Sequence, residues 1–369
     1  MRSIVVCSLA AWSCALAAPI PSNASPRPSV FAAAVPAANW GVLTLRSQAP
    51  VFHNRLSFTP GRLLPLQRHE LELALGLNHA NIWAQMPGYF FDGEWTQAAL
   101  RGAWGLGHGL EITAEIPVYG RSGGFLDSSI MAFHSAFGAT QSRRERYPKN
   151  ALRVENLSGP RAGTYLTDAQ SGVGLANPSL GVRKLLGHTR DAAQLAQDAA
   201  FVAEFDLKLP LGSVSRQFAS QSFEVLLALG AQQAVFSWLV VYMHLGSVFS
   251  PTHQYVYGME LSYLQKFALL GMGFELSPSV RLVLQYLNQD GAVERPVYAP
   301  LSATTHEFAV GAQWVPRALP RLLVELGILE NSIHDANTAD FGLHLLLRWR
   351  FDLAAGSCLA AAPTVGALR

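Results

Sequence analysis

Residues 341–351 read FGLHLLLRWRF, and residues 70–83 read ELELALGLNHANIW. In the first stretch Phe341, Leu343, Leu345, Leu347, Trp349 and Phe351 share one parity, and Gly342, His344, Arg348 and Arg350 take the other. In the second, Leu71, Leu73, Leu75, Leu77 and Trp83 stand against Glu70, Glu72, Ala74, Gly76 and Asn78. A period of two sends successive side chains to opposite faces of a sheet, so each stretch is a strand with one apolar face. Working outward, 110–119 and 199–210 repeat the pattern, and further strands are predicted over 95–106, 173–186, 222–231, 235–246, 267–276, 280–289, 305–315 and 321–330. The total is about twelve, each near the ~9–11 residues with which a tilted strand crosses a bilayer.

The connections alternate in length. Those at 107–109, 231–234, 277–279 and 316–320 are tight, whereas 119–172 and 246–266 are long. Short turns on one side and long loops on the other is the pattern of an all-β transmembrane antiparallel barrel with a partly helical long loop. A helical membrane protein is the main competitor, because 225–259 holds no Asp, Glu, Lys or Arg. Its flanks alternate, however, and Gln232-Gln233 interrupt it, which suits a hairpin and not a helix. Residues 254–263 also alternate; as a membrane strand they would make the total odd, so they are assigned to a loop or a hairpin extension.

Composition agrees with a membrane solvent. Of 369 residues 50% are hydrophobic and only 14% charged, with a net charge of +2 and a mean hydropathy of +0.20. This excludes a disordered chain, and the absence of a basic surplus argues against nucleic acid as a partner. The organisation along the chain is expected to be a signal peptide over 1–17, an Ala/Pro-rich linker over 18–38, an N-terminal segment over 39–69, a barrel over 70–351 and a tail over 352–369. The leader has Arg2, the apolar run 4–15 and the small-x-small pattern Ala15-Leu16-Ala17. With Cys7 and Cys14 removed, Cys358 is the one remaining thiol, so no internal disulfide is expected.

Parity also distributes the charges. Glu70, Glu72, Glu111, Glu115, Glu204, Asp206, Glu224, Glu275, Glu307 and Glu325 fall on the lumen side, opposed by Arg101, Arg183, Lys208, Arg281, Arg321, Arg348 and Arg350. Mixed signs suit a structural network of charge-assisted pairs better than strong ion selectivity. Trp83, Trp104, Trp238, Trp314 and Trp349 take the apolar parity near strand ends, where an aromatic girdle belongs; Trp95 does not. Residues 39–69 are too long for a simple leader, and Arg46 with 52–58 is expected to enter the lumen as a plug.

The segment 121–138, RSGGFLDSSIMAFHSAFG, is the distinctive loop. Gly123 and Gly124 permit a sharp turn. Phe125, Ile130, Phe133 and Phe137 are spaced as a stripe on a short helix, which reads as a lid or as a helix closing the rim. Arg121, Asp127, His134 and Ser135 are its polar candidates. The last strand resembles the C-terminal signal of outer-membrane proteins, which ends in an aromatic residue and is read by the barrel-assembly machinery; here Trp349 and Phe351 match and the tail departs from it. The chain as a whole resembles a bacterial family of uncharacterised outer-membrane barrel proteins, defined only as a domain of unknown function. GVLTLRSQAPVF (41–52), RSGGFLD with AFHSAFG, GLANPSLGVRKLL (174–186) and LKLPLG (207–212) carry the resemblance. It implies a barrel in the Gram-negative outer membrane and supplies no activity.

Catalytic signatures are scarce: the sequence has no zinc-type Cys/His spacing, no phosphate-binding glycine loop and no G-x-S-x-G elbow. No enzyme, cofactor or metal is therefore expected. The expected function is passage or binding of a small solute, an apolar one if the Phe-rich loop contacts it. The alternatives are a lipid-modifying outer-membrane enzyme and a structural or surface-interaction barrel. Arg143, Arg144, Arg146 and Lys149 are candidates for lipopolysaccharide phosphates.

Overall fold

The computed structural model describes residues 40–49, 51–138, 143–188, 199–331 and 337–353. The expected leader and linker, and the tail with Cys358, lie outside the described residues. Twelve strands form the barrel wall. They are β1 (Glu70–Met86), β2 (Tyr89–Gly107), β3 (Leu110–Ser122), β4 (Ser179–His188), β5 (Ala200–Lys208) and β6 (Glu224–Phe236), then β7 (Leu239–Phe249), β8 (Leu264–Ser277), β9 (Val280–Gln289), β10 (Thr305–Trp314), β11 (Leu322–Asn331) and β12 (Phe341–Asp352). Each pairs antiparallel with the next, and β1 closes onto β12 from Glu70 opposite Asp352 to Asn81 opposite Phe341. Closure leaves no unpaired edge, which lipid would not tolerate.

The barrel has two unlike ends. Tight turns at 108–109, 237–238 and 278–279 lie at the end where the chain enters and leaves the wall, called here the turn end. The long connections 123–178, 209–223, 250–263 and 290–304 lie at the loop end. There β1 and β2 run on as a tall hairpin, whose Tyr89–Asp92 edge pairs with a short strand, Arg153–Asn156. Helix α1 (Asp127–Phe137) belongs to the first long connection and stops at Gly138, in the left-handed region at φ 70°.

The outer face is a belt of apolar side chains in which Leu75, Leu100, Leu229 and Leu326 are all more than half exposed. A belt of this extent is incompatible with water as the solvent and natural in lipid. Trp104, Trp238 and Trp314 join it at the turn end, with Trp349 half-buried beside Phe351. Trp83 departs from the girdle. It is buried in the tall hairpin, edge-on to Phe90 (5.4 Å) and Tyr147 (5.2 Å) with Arg144 above its ring.

Two predicted boundaries move. The strand over 173–186 is two strands, Gly172–Leu175 and Ser179–His188, both paired to β3, because Pro178 lacks the N–H that would continue the ladder. The turn predicted at 231–234 falls at Ser237-Trp238 instead. Gln232 takes the lumen parity and is buried there, so a polar residue did not require a turn. Residues 254–263 form a separate small hairpin, Tyr255–Val256 with Met259–Glu260. Among the described residues no helix is long and apolar enough to cross a membrane, and the uncharged run 225–259 is largely the β6–β7 hairpin.

Candidate functional site

The lumen contains residues 40–49 and 51–66, which rise from the turn end, reverse at a short 3-10 turn (Phe52–Asn54) and descend into β1. Lumen-facing carboxylates hold the segment by its backbone. Thr44 N–H donates to Glu325 (2.9 Å), Gln48 N–H to Glu307 (3.0 Å), Leu56 N–H to Glu224 and Leu66 N–H to Glu111 (2.7 Å). An irregular segment in a barrel lacks ladder partners, so charged acceptors on the wall satisfy N–H groups that would otherwise be buried unpaired. Side chains add ion pairs: Arg62 with Glu111 (2.6 Å) and Glu72 (3.5 Å), and Arg55 with Glu224 (3.5 Å). The loop-end reversal is set by rings, with His53 stacked on Trp95 (6.0 Å), while Phe58 stacks on Phe267 (4.5 Å) further down.

Small residues on the wall make room for this segment. A Cβ on Gly271 would come within 2.3 Å of Val42, one on Gly311 within 2.8 Å of Leu43, and one on Gly230 within 2.2 Å of Leu63. All three glycines take the lumen parity, so the wall carries sockets for apolar knobs of the segment. The two arms cross at Gly41, where φ is 75° and a Cβ would lie 2.1 Å from the Gly61 carbonyl oxygen.

Strand charges pair across the wall as well. Arg101 meets Glu115 (2.7 Å), Arg183 meets Glu204 (3.3 Å), Lys208 meets Glu224 (2.9 Å), Arg348 meets Glu325 (3.1 Å), Arg350 meets Glu72 (3.2 Å) and Arg281 meets Glu275. Glu70 and Arg321 stand apart from this network. Glu70 accepts from Gln67 N–H at the exposed strand start, and Arg321 lies in the β10–β11 turn.

The 121–138 segment divides. Arg121 points inward, stacks over Phe218 (4.2 Å) and donates to the carbonyls of Gln170 (3.2 Å) and Arg216. The rest lies against the outward parity of the β1–β2 hairpin. Glu94 accepts from Phe125 N–H (2.9 Å) and Leu126 N–H (2.6 Å), and Asp127 accepts from Asn81 (3.1 Å) and Asn150 N–H (2.7 Å). Gly123 and Gly124 are required by contact: a Cβ would sit 1.8 Å from the Asn150 carbonyl oxygen or from the Glu94 carboxyl carbon, respectively. Phe125 stacks on His79 (5.4 Å) and, like Phe133, remains exposed on the outer surface. His134 is in the last turn of α1; the Phe137 side chain lies outside the described residues. Arg144, grouped above with the loop cations, is buried against Asp340 (3.0 Å), Asp127 and Trp83.

Three cavities follow one side of the lumen segment. A vestibule of about 600 Å³ at the loop end is walled by Asn54, Tyr165, Ser220, Tyr255 and Tyr257. A central cavity of about 110 Å³ lies between the segment and β1–β5, with Arg46, Arg55, Arg101, Arg183 and Lys208 in its wall together with Glu72, Glu115 and Asp206. A turn-end cavity of about 90 Å³ shares Glu72 and Arg348 with the central one. Vestibule and central cavity are separated by Lys208, whose Nζ donates to Ser220 (2.7 Å) and to the Asn54 carbonyl (3.3 Å). Arg55 falls within the 52–58 expected in the lumen, whereas Arg62 and the socket glycines escaped the sequence reading. The glycines had a signal, their lumen parity within otherwise apolar strands, whereas the arginines lie in a stretch without periodicity. Among the described residues no group of three or more His, Cys, Asp or Glu is placed to hold a metal ion.

Among solved structures, the COG4313 outer membrane channel from Pseudomonas putida F1 is similar, at a TM-score of 0.53 and 14% identity over 80% of this chain and 100% of that one. The KdgM porin (TM-score 0.39, 7% identity, 76% and 99% covered) and a variant of the TodX monoaromatic hydrocarbon channel (0.38, 9%, 84% and 100%) match more loosely. The first likeness establishes the fold as that of an outer-membrane barrel. No curated protein matches the chain. The model of the DUF3187 family, described as a protein of unknown function, matches residues 28–351, and the chain belongs to that family.

Proposed function

We propose that this protein is an outer-membrane barrel that passes or binds a small polar solute along one side of segment 40–66, which acts as a resident plug. The observation that carries this reading is the line of three cavities, divided by Lys208 with Ser220 and the Asn54 carbonyl above and by Glu72 with Arg348 below. Side chains can swing where backbone cannot, so the path is closed without being filled. Its charged walls disfavour the apolar solute expected from the Phe-rich loop, since Phe125 and Phe133 lie on the outer surface. In the orientation usual for such barrels the turn end faces the periplasm and the loop end the outside. Trp349 and Phe351 then serve as the assembly signal, and Arg143, Arg146 and Lys149, exposed beyond the tall hairpin, face lipopolysaccharide.

Planar-bilayer recording tests the reading. The intact protein should give small conductance steps, and a variant lacking residues 40–66 that keeps heat-modifiable migration should give much larger ones. Unchanged conductance in that folded variant overturns the plug, and a silent barrel with esterase activity on phospholipid would favour the enzymatic alternative.

A further inference from the structure

We propose that the central cavity binds a small oxyanion, a carboxylate or phosphate group, and that Arg55 recognises it. This rests on the solute path above and names the class of solute.

Arg55 follows the 3-10 turn of the lumen segment, and its side chain is fully buried. Its Nε lies 3.5 Å from Glu224, and its Nη1 and Nη2 are buried without a hydrogen-bond partner although the residue lines the cavity. Guanidinium N–H groups buried without a hydrogen bond are costly even beside a counter-ion, because they have lost water and the ion pair with Glu224 offsets the charge without satisfying the donors. A planar fork of N–H groups on a residue that lines a cavity is the arrangement that a carboxylate or phosphate fits bidentately. Arg101 repeats the observation from the facing wall. Its Nε is committed to Glu115 (2.7 Å) and its Nη1 to the Thr44 carbonyl (3.4 Å), while Nη2 is buried without a partner.

The carboxylates of the wall do not exclude an anion. Glu115 is engaged by Arg101, and Glu72 by Arg62, Arg348 and Arg350. Asp206 adds a third acid, so recognition comes from directed donors and not from a ring of one sign. At about 110 Å³ the cavity far exceeds the ~10–15 Å³ that admits one water, and an anion the size of acetate or phosphate suits it.

The test is calorimetry on the purified full-length protein with sodium acetate and sodium phosphate, at ionic strength held constant with chloride, beside flux of the same anions and of neutral erythritol into liposomes. Acetate, phosphate or both should bind, and the difference between them identifies the headgroup chemistry. Arg55→Gln should weaken binding by about tenfold or more, Arg101→Gln should weaken it as well, and Arg317→Gln in the exposed β10–β11 turn should leave it unchanged. Heat-modifiable migration reports folding, and if Arg55→Gln fails to fold, Arg101→Gln carries the test. Absence of binding by both anions, or full binding in the folded variants, overturns the inference. Erythritol flux without anion binding overturns it while leaving the solute path intact, whereas anion binding without any flux upholds it and removes passage.

Discussion

Segments 40–66 and 123–137 are both appendages to the same wall, and both were candidates to occlude it, yet they lie on opposite sides of it. The first is anchored by Glu111, Glu224, Glu307 and Glu325, all of lumen parity. The second is anchored by Glu94 and Asn81, which share the outward parity of β1 and β2 above the lipid belt. Each uses carboxylates to hold backbone N–H groups, so chemistry does not distinguish them. The receiving face does, and a one-residue change of parity is the difference between a plug and an outer buttress.

Four substitutions or conditions would break or sharpen that contrast. Glu224→Ala removes the carboxylate shared by Arg55, Lys208 and Leu56 N–H, leaving two buried cations uncompensated. A loss of about 3–5 kcal/mol is expected, read as an earlier unfolding midpoint in urea. A loss below 1 kcal/mol would mean that the lumen is wetter than its burial implies.

Gly271→Leu fills the socket of Val42 and should cost about 1–3 kcal/mol by overpacking, while raising bilayer conductance as the lumen segment is displaced. Conductance at the parent level would show that the segment does not depend on its sockets. Gly124→Ala places a methyl against Glu94 at φ 77° and should cost at least the ~1–2 kcal/mol of a left-handed backbone. Its effect should be confined to faster hydrogen exchange in 125–137, with conductance unaltered; a change in conductance would put the outer buttress on the solute path.

The smallest effect concerns the loop hairpin Tyr255–Glu260. The Glu260 carboxyl is held below the usual range chiefly by its hydrogen bond from Arg295 (3.0 Å), helped by His253 (2.9 Å). A lowered folded value means that this support is present above the unfolded carboxylate value, near ~4.3, and is lost as pH falls through the folded one. Pepsin cleavage within 250–263 should therefore begin only below about pH 4, and Glu260→Gln should admit it at higher pH. Identical profiles for the two proteins would remove the role of the carboxylate.

How much was legible in advance follows from these residues. The twelve-strand wall and the lumen parity of Glu111, Glu204, Glu325 and Arg348 were readable because strand periodicity is local: a face is assigned to every second residue without knowing the partner strand. The even strand number followed from the rule for single-chain barrels, and the family resemblance carried by RSGGFLD was legible because a motif is read without knowing where it folds. Trp83 was misplaced because apolar parity cannot say whether a face meets lipid or a loop folded onto it, and the 231–234 turn because the lumen-facing Gln232 reads as a break in an apolar run. The partners of Arg55 within the expected plug, and the central cavity, left no trace, since neither has a period.

By itself the sequence determined a closed barrel with a greasy outside and a charged inside, because alternation and the cost of unpaired backbone in lipid leave little else. Only the tertiary structure decided what fills the lumen and what braces the rim. The segment at 40–66 meets Glu325, Glu307, Glu224 and Glu111 across gaps of about 45 to 281 residues, contacts that exist only once the wall has closed and brought its strands around a common axis.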